Sequence, residues 1–212
     1  MERRPLGRTG MTTGVVGLGT MTWGRRNAEA EAHAQIDMAL DAGVDLLDLA
    51  EMYPFPAGEE TWGRTEEIAG SWLRANPGRR DDLIVATKVV GRTDRFPFLR
   101  GGAARLDRAN ITVALDESLK RIGVDAIDLY QLHWPDRAKN YYGALGYSHR
   151  DADPDATPLA ETLGVLNDCV VAGKIRAVGL SNETPWGVAE CLRLSDRLGL
   201  PRVATIQNPY NL

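Results

Sequence analysis

The chain has 212 residues, 43% hydrophobic and 25% charged, an ordinary globular balance with enough apolar residues for one large domain across residues 1–212. A net charge of −4, with no Lys/Arg run or basic face, argues against a nucleic-acid partner or an anionic membrane surface. No apolar run reaches about 18 residues and the start MERRPLGRTG lacks a signal peptide's apolar core, so no membrane segment and a cytoplasmic location are expected.

The opening RRPLGRTGMTTG carries Gly and Thr turn signals and predicts a small β-hairpin. Short apolar runs and amphipathic helices then alternate. GVVGLG (Gly14 to Gly19) precedes a helix from about Asn27, its expected N-cap, to Asp41, stopped by Gly43. VDLLDLA leads through a Pro-rich loop to a helix near Thr65 to Arg74. LIVATKVV leads to a helix with Ile111, Ala114, Leu115, Leu119 and Ile122 on one face, ended by Gly123. AIDLYQLH leads through a long polar loop to a helix with Leu159, Leu163, Leu166 and Val170 in one stripe, stopped at Gly173. IRAVGLSN precedes a helix with Pro185 in its first turn and Leu192 on its inner side, and VATIQNPYNL ends the chain.

Six strand-like runs, apolar on both faces, alternate with five helices, which predicts a parallel sheet covered by helices. GLGTMTWG tempts a dinucleotide-fingerprint reading, but Thr22 stands where the third glycine belongs, so a doubly wound fold is not supported. The prediction is an α/β chain of the (β/α)₈ TIM-barrel class, with six of the eight strands present and the hairpin capping the end opposite the active site.

In such a barrel the C-terminal ends of the strands meet in one bowl. Here they are Asp48, Lys88, His133, Ser181 with Asn182, and Gln207. One polar tip is ordinary solvation; a carboxylate, an ammonium, an imidazole, a hydroxyl and two amides together predict a site. Tyr53, in the loop leaving the Asp48 strand, can fold over it. A free phenol has a pKa near ~10, and an ammonium in hydrogen-bonding reach favours the phenolate by roughly 1–3 units. Lys88 can supply that charge, Asp48 can hold Lys88, and His133 faces the same reacting atom. Such groups suit proton donation to an oxygen gaining negative charge.

Blander readings exist for each residue. Lys88 alone could be a Schiff-base lysine, but Asp48 is expected to keep it charged. His133 alone could be a structural core histidine. Trp23 and Trp134 either pack the rim or form a substrate pocket with Tyr53 and His133, while Tyr141 and Tyr142 read as loop packing. Asp151, Asp153 and Asp155 alternate like a calcium loop but lack its glycine and terminal glutamate. His33, His133 and His149 lack ligand spacing, so no metal site is expected. Cys169 and Cys191 read as buried free thiols.

The stretches GLGTM, DLAEMY, ATK, LHWP, GKIRAVGLSN and IQNPY resemble those of the aldo-keto reductases. AEMYPFP, LYQLHWPDR, LGYS and SNETPWGV are most similar to the family's bacterial Tas-like branch. The resemblance implies a barrel that binds NADPH in extended form, with NADH not excluded, and reduces a small-molecule carbonyl by hydride transfer. It implies Tyr53 as proton donor with Lys88, Asp48 and His133 as its partners. Ser181, Asn182 and Gln207 would hold the nicotinamide carboxamide, while Gly19, Thr20 and Met21 would line the cofactor. The family's potassium-channel β-subunits offer a rival, a cofactor-sensing subunit with little turnover. A closed barrel of this kind typically needs ~250 residues. The expectation is therefore that these 212 residues are not the whole functional protein, and that their sheet is an open C.

Overall fold

The computed structural model describes residues 1–138 and 153–210. Strands β1 (Arg3–Pro5) and β2 (Thr12–Gly14) form the expected antiparallel hairpin. Its turn contains Gly7 at φ +57°, where a Cβ would lie 2.6 Å from the Ala204 carbonyl oxygen. Only glycine lets the turn bring its backbone this close. Leu6 and Met11 thereby reach the inner face of the main sheet and pack with Ile84, Ala86, Leu129 and Ala177.

The main sheet comprises β3 (Gly17–Gly19), β4 (Leu46–Asp48), β5 (Ile84–Val89), β6 (Ile127–Leu132), β7 (Ile175–Ser181) and β8 (Val203–Gln207). All five pairings are parallel and the spatial order follows the chain, β3-β4-β5-β6-β7-β8. The connecting helices are α1 (Glu29–Asp41), α2 (Arg64–Ala75), α3 (Arg108–Ile122), α4 (Leu159–Val171) and α5 (Pro185–Leu198). The sheet is a curled α/β half-barrel, open between β3 and β8.

Burial follows from that opening. Every residue of β5 and β6 is buried, because each strand has two neighbours and both its faces are covered. β3 and β8 have one neighbour each in the sheet, and neither is buried along its length. The sequence expectation of strands covered on both faces therefore holds in the middle of the sheet and fails at its two margins. Outward residues such as Val85, Tyr130, Leu132 and Val178 pack against Ile36, Ile68, Trp72, Ile111, Leu115, Leu163 and Leu166 of the helices.

Helix ends follow local chemistry. Asp107 caps α3 by accepting from the Asn110 N–H at 2.9 Å, and Gly123 ends it in the left-handed region. Thr184 caps α5 by accepting from the Gly187 N–H at 3.1 Å, with Pro185 in its first turn. Two expectations need correction. Ala28, not Asn27, is the N-cap of α1: Glu31 accepts from the Ala28 N–H at 2.8 Å, while Asn27 Oδ1 accepts from the Thr22 hydroxyl. Leu192 is only half-buried, because the buried face of α5 runs through Gly187, Cys191 and Ser195.

Candidate active site

Period-two alternation decides which side chains enter the half-barrel. On β5 these are Ile84, Ala86 and Lys88; on β6, Leu129, Gln131 and His133 just past its end. Register places Asp48 beside Ala86, Lys88 beside Gln131, Gln131 beside Gly179 and Ser181 beside Gln207. The apolar members pack around Leu6, and the polar members lie towards the C-terminal ends.

Asp48 is the centre of the polar group. Lys88 Nζ lies 2.7 Å from its Oδ1, and Lys88 also donates to the Leu49 carbonyl at 2.9 Å. Gln131 Nε2 donates to Oδ1 at 3.2 Å and Gln207 Nε2 donates to Oδ2 at 2.9 Å. Gly179 leaves room for this reach, since a Cβ there would sit 2.4 Å from Thr205 Oγ1 and 3.0 Å from Gln131 Cγ. The Lys88 side chain is 1% exposed. Burial pulls its ammonium below the ordinary lysine value, and Asp48 opposes that pull.

Tyr53 lies over this pair. Its N–H donates to the Ala50 carbonyl at 3.0 Å, and Lys88 Nζ is 4.9 Å from the ring centroid. His133 meets the same ring edge-on at 5.6 Å. The His133 N–H donates to the Val89 carbonyl at 2.8 Å, and Asn182 Nδ2 donates to the His133 carbonyl at 3.0 Å. His133 Nδ1 is buried without a hydrogen-bond partner among the described residues. Burial first, and the Lys88 charge second, push the imidazole pKa well below its ordinary 6.5, so the ring is neutral near pH 7.

The tips of β7 and β8 are tied together. Ser181 Oγ donates to the Gln207 carbonyl at 3.0 Å, and Asn182 takes a left-handed conformation at φ +49°. Asn208 accepts from the Glu183 N–H at 3.1 Å and donates to the Glu183 carbonyl at 2.9 Å.

These groups border a cavity of about 590 Å³. Tyr53, Lys88 and His133 form its floor, Ser181, Asn182, Gln207 and Asn208 one wall, and Met52, Phe96 and Trp134 an apolar wall. Met21, Phe55 and Pro209 complete the apolar lining, and Thr93 and Arg95 also border the space. Trp134 also borders it, 4.9 Å from the His133 ring.

Other expected residues do not reach the cavity. Trp23 is fully buried in the core between sheet and helices, where its Nε1 donates to Gln35 Oε1 at 2.7 Å. It is therefore a packing residue and not part of the pocket. Thr20 is also fully buried and donates to the Asp48 carbonyl at 2.9 Å, so it supports the site from behind. Gly19 has no side chain to offer, and of the β3 set only Met21 lines the cavity. Asp153 lies 2.5 Å from Arg92, and no cluster of three or more His, Cys, Asp or Glu with metal-holding geometry occurs among the described residues. Tyr141, Tyr142, His149 and Asp151 lie outside the described residues. Cys169 and Cys191 are buried free thiols, and burial pushes the Cys191 pKa up to about 11.

Among the contributors absent from the sequence expectations are Gln131, Glu51 and Arg100. Gln131 shares the inward face of His133, a period-two signal that could have found it. Glu51, fully buried, accepts from the Val90 N–H at 2.7 Å and from both Arg100 Nη atoms at 2.6 and 2.9 Å. This pair ties the Tyr53 loop to the loop after β5. Nothing in the sequence marks Arg100 as its partner, 49 residues away.

A model of the Aldo/keto reductase family matches residues 15–212. The chain is 48% identical over 213 residues to Protein tas of Escherichia coli (strain K12), covering 100% of this chain and 61% of that protein. It is 31% identical over 208 residues to the NADH-specific methylglyoxal reductase of the same organism, covering 92% of this chain and 56% of that protein. It is 30% identical over 213 residues to a probable voltage-gated potassium channel subunit beta of Oryza sativa subsp. japonica, covering all of this chain and 56% of that protein. The chain thus spans about three-fifths of the length of Protein tas. On the family match, which includes all the residues of the polar bowl, the chain belongs to the aldo/keto reductase family.

Proposed function

We propose that the protein is an NADPH-dependent carbonyl reductase in which Tyr53 is the proton donor. One observation carries this reading: Tyr53 sits over the buried Asp48–Lys88 pair and edge-on to His133, at the floor of a cavity with an apolar wall. The nicotinamide end of a cofactor fits the polar part of this lining. A carboxamide needs both donors and acceptors, and Ser181, Asn182, Gln207 and Asn208 offer hydroxyl and amide groups there.

When bound, the reduced nicotinamide supplies a hydride to the carbonyl carbon. The C=O double bond becomes a C–O single bond, and Tyr53 gives its proton to the oxygen, completing the alcohol. Lys88 then stabilises the phenolate left on Tyr53, and Asp48 holds Lys88 in place through the 2.7 Å contact. His133, neutral and buried, orients the carbonyl oxygen by hydrogen bonding without competing as an acid. Met52, Phe96 and Trp134 exclude water, which strengthens each of these interactions.

Glu51 and the two Asp48 amide donors hold the arrangement before substrate arrives, so little reorganisation is required at the moment of reaction. A second reading, a cofactor-sensing subunit with little turnover, draws on the similarity to the rice protein named as a potassium channel subunit beta. Steady oxidation of NADPH with a panel of aldehydes and ketones, run in parallel with NADH, tests both. Reduction of several aldehydes over many turnovers supports the reductase. Cofactor binding without turnover on any of them supports the subunit. A preference for NADH would overturn the NADPH assignment and parallel the relative named as NADH-specific.

A further inference from the structure

Four arginines lie between Arg92 and Arg105, in the loop that follows β5, and three of them are engaged. Arg92 pairs with Asp153, Arg100 is clamped on Glu51, and Arg105 donates to the Asp155 carbonyl. Arg95 differs. It is exposed, borders the cavity, and has no ion-pair partner among the described residues. Its N–H donates to Thr93 Oγ1 at 3.1 Å, a local turn that holds the two cavity-lining residues together.

The apolar wall continues from this corner. Phe96 and Trp134 have ring centroids 6.5 Å apart and both line the same space. Tyr53, His133, these two rings, Arg95 and Thr93 all line one cavity, so a molecule whose carbonyl sat between Tyr53 and His133 would share that space with the Arg95 guanidinium. A guanidinium presents parallel N–H donors in a planar fork, the geometry that a carboxylate accepts in pairs. In a chain of net charge −4, an arginine with no ion-pair partner among the described residues, at a cavity otherwise rich in apolar side chains, is a local attraction for anions.

We propose that Arg95 and Thr93 form an anion-reading corner, and that the substrates are aldehydes or ketones bearing a carboxylate beyond an apolar body. The proposal rests on the reading of Tyr53 and His133 as the groups that receive the carbonyl. It selects among carbonyl compounds by their far end, which the proton-donating floor cannot do.

The test compares 4-carboxybenzaldehyde with its methyl ester in the full-length protein, by kcat/KM and by calorimetric binding without cofactor. An exposed ion pair is worth up to about 1 kcal/mol, so the acid should be favoured about fivefold in both measurements. That ratio should fall towards one in Arg95→Gln, return in part in Arg95→Lys, and shrink at high salt. No preference for the acid, or a preference unchanged in Arg95→Gln, overturns the proposal. Reduction of both aldehydes without an Arg95-dependent preference would leave the reductase reading intact while removing the anion corner. An Arg95-dependent binding preference with neither aldehyde reduced would support the corner and overturn the reductase reading.

Discussion

Two buried carboxylates in this sheet each pair with cations, but with cations of different kinds and at opposite ends of the strands. Asp128, at the N-terminal end of β6, lies 2.8 Å from Arg80 and 2.9 Å from Arg176, and accepts from the Val85 N–H at 2.8 Å. Asp48, at the C-terminal end of β4, lies 2.7 Å from Lys88, whose Nζ is 4.9 Å from the Tyr53 ring centroid. A guanidinium stays charged at any working pH, so Asp128 and its arginines make a fixed electrostatic clamp. A buried ammonium is different, because its charge responds to its surroundings and burial already pulls the Lys88 pKa down. Asp128 is thus held by two cations whose charge is fixed, and Asp48 by one whose charge responds and which lies beneath a phenol.

The largest of these effects is expected at Lys88. Lys88→Met should lower kcat by about 10²-fold or more, since Tyr53 loses the charge that stabilises its phenolate. Circular dichroism should show the fold retained. Activity within tenfold of the parent protein would place Lys88 with Asp128, among the structural charges. If borohydride with an aldehyde instead traps an adduct on Lys88, the Schiff-base reading wins.

Asp128→Ala should show the converse. Removing it leaves the Val85 N–H without its acceptor and two arginines without their carboxylate. A cost of about 2–3 kcal/mol in denaturant unfolding is expected, below the figure for a fully buried pair because Arg176 is about half exposed and rehydrates. The kcat/KM should stay within about twofold, and a tenfold loss would show that the two ends are coupled.

His133 sharpens the contrast through pH. Its folded pKa is well below the unfolded 6.5, so the unfolded chain binds more protons as the pH drops. Stability contributed by the neutral ring is complete above about pH 6.5 and is lost below it, by up to about 1.4 kcal/mol per pH unit until the folded-state value is reached. In His133→Asn that part of the slope should vanish from denaturant titrations at pH 5 to 7. An unchanged slope would mean that His133 titrates normally.

The smallest effect is expected at Trp23. Trp23→Phe loses the hydrogen bond to Gln35 and should cost about 1 kcal/mol of stability. The KM for any carbonyl substrate should not move. A substrate-dependent change in KM would restore Trp23 to the pocket.

How much of this could be read in the sequence follows from the length scale of each interaction. The βα alternation, the capping glycines and the polar strand tips are local patterns, and the structure brings Asp48, Lys88, His133, Ser181, Asn182 and Gln207 to one bowl as their positions imply. Trp23 misled because its neighbours in GLGTMTWG leave the first strand towards the bowl, whereas tertiary packing turns the indole into the core. Glu51 and Arg100 were invisible because a buried ion pair between two loops leaves no periodic mark in either. Arg95 could not be singled out among the arginines of its loop until Arg92, Arg100 and Arg105 were seen to be engaged.

In the proposed reaction Tyr53 works only while the carbonyl oxygen gains charge. Tyr53→Phe in the full-length protein tests it directly, with kcat from aldehyde reduction and NADPH affinity from fluorescence titration measured on the same preparation. A hydroxyl used only in the transition state should lower kcat by about 10²–10⁴-fold when removed and leave cofactor affinity within about twofold. Retention of more than about a tenth of kcat would contradict the assignment, and the proton donor would have to be sought elsewhere on the cavity floor.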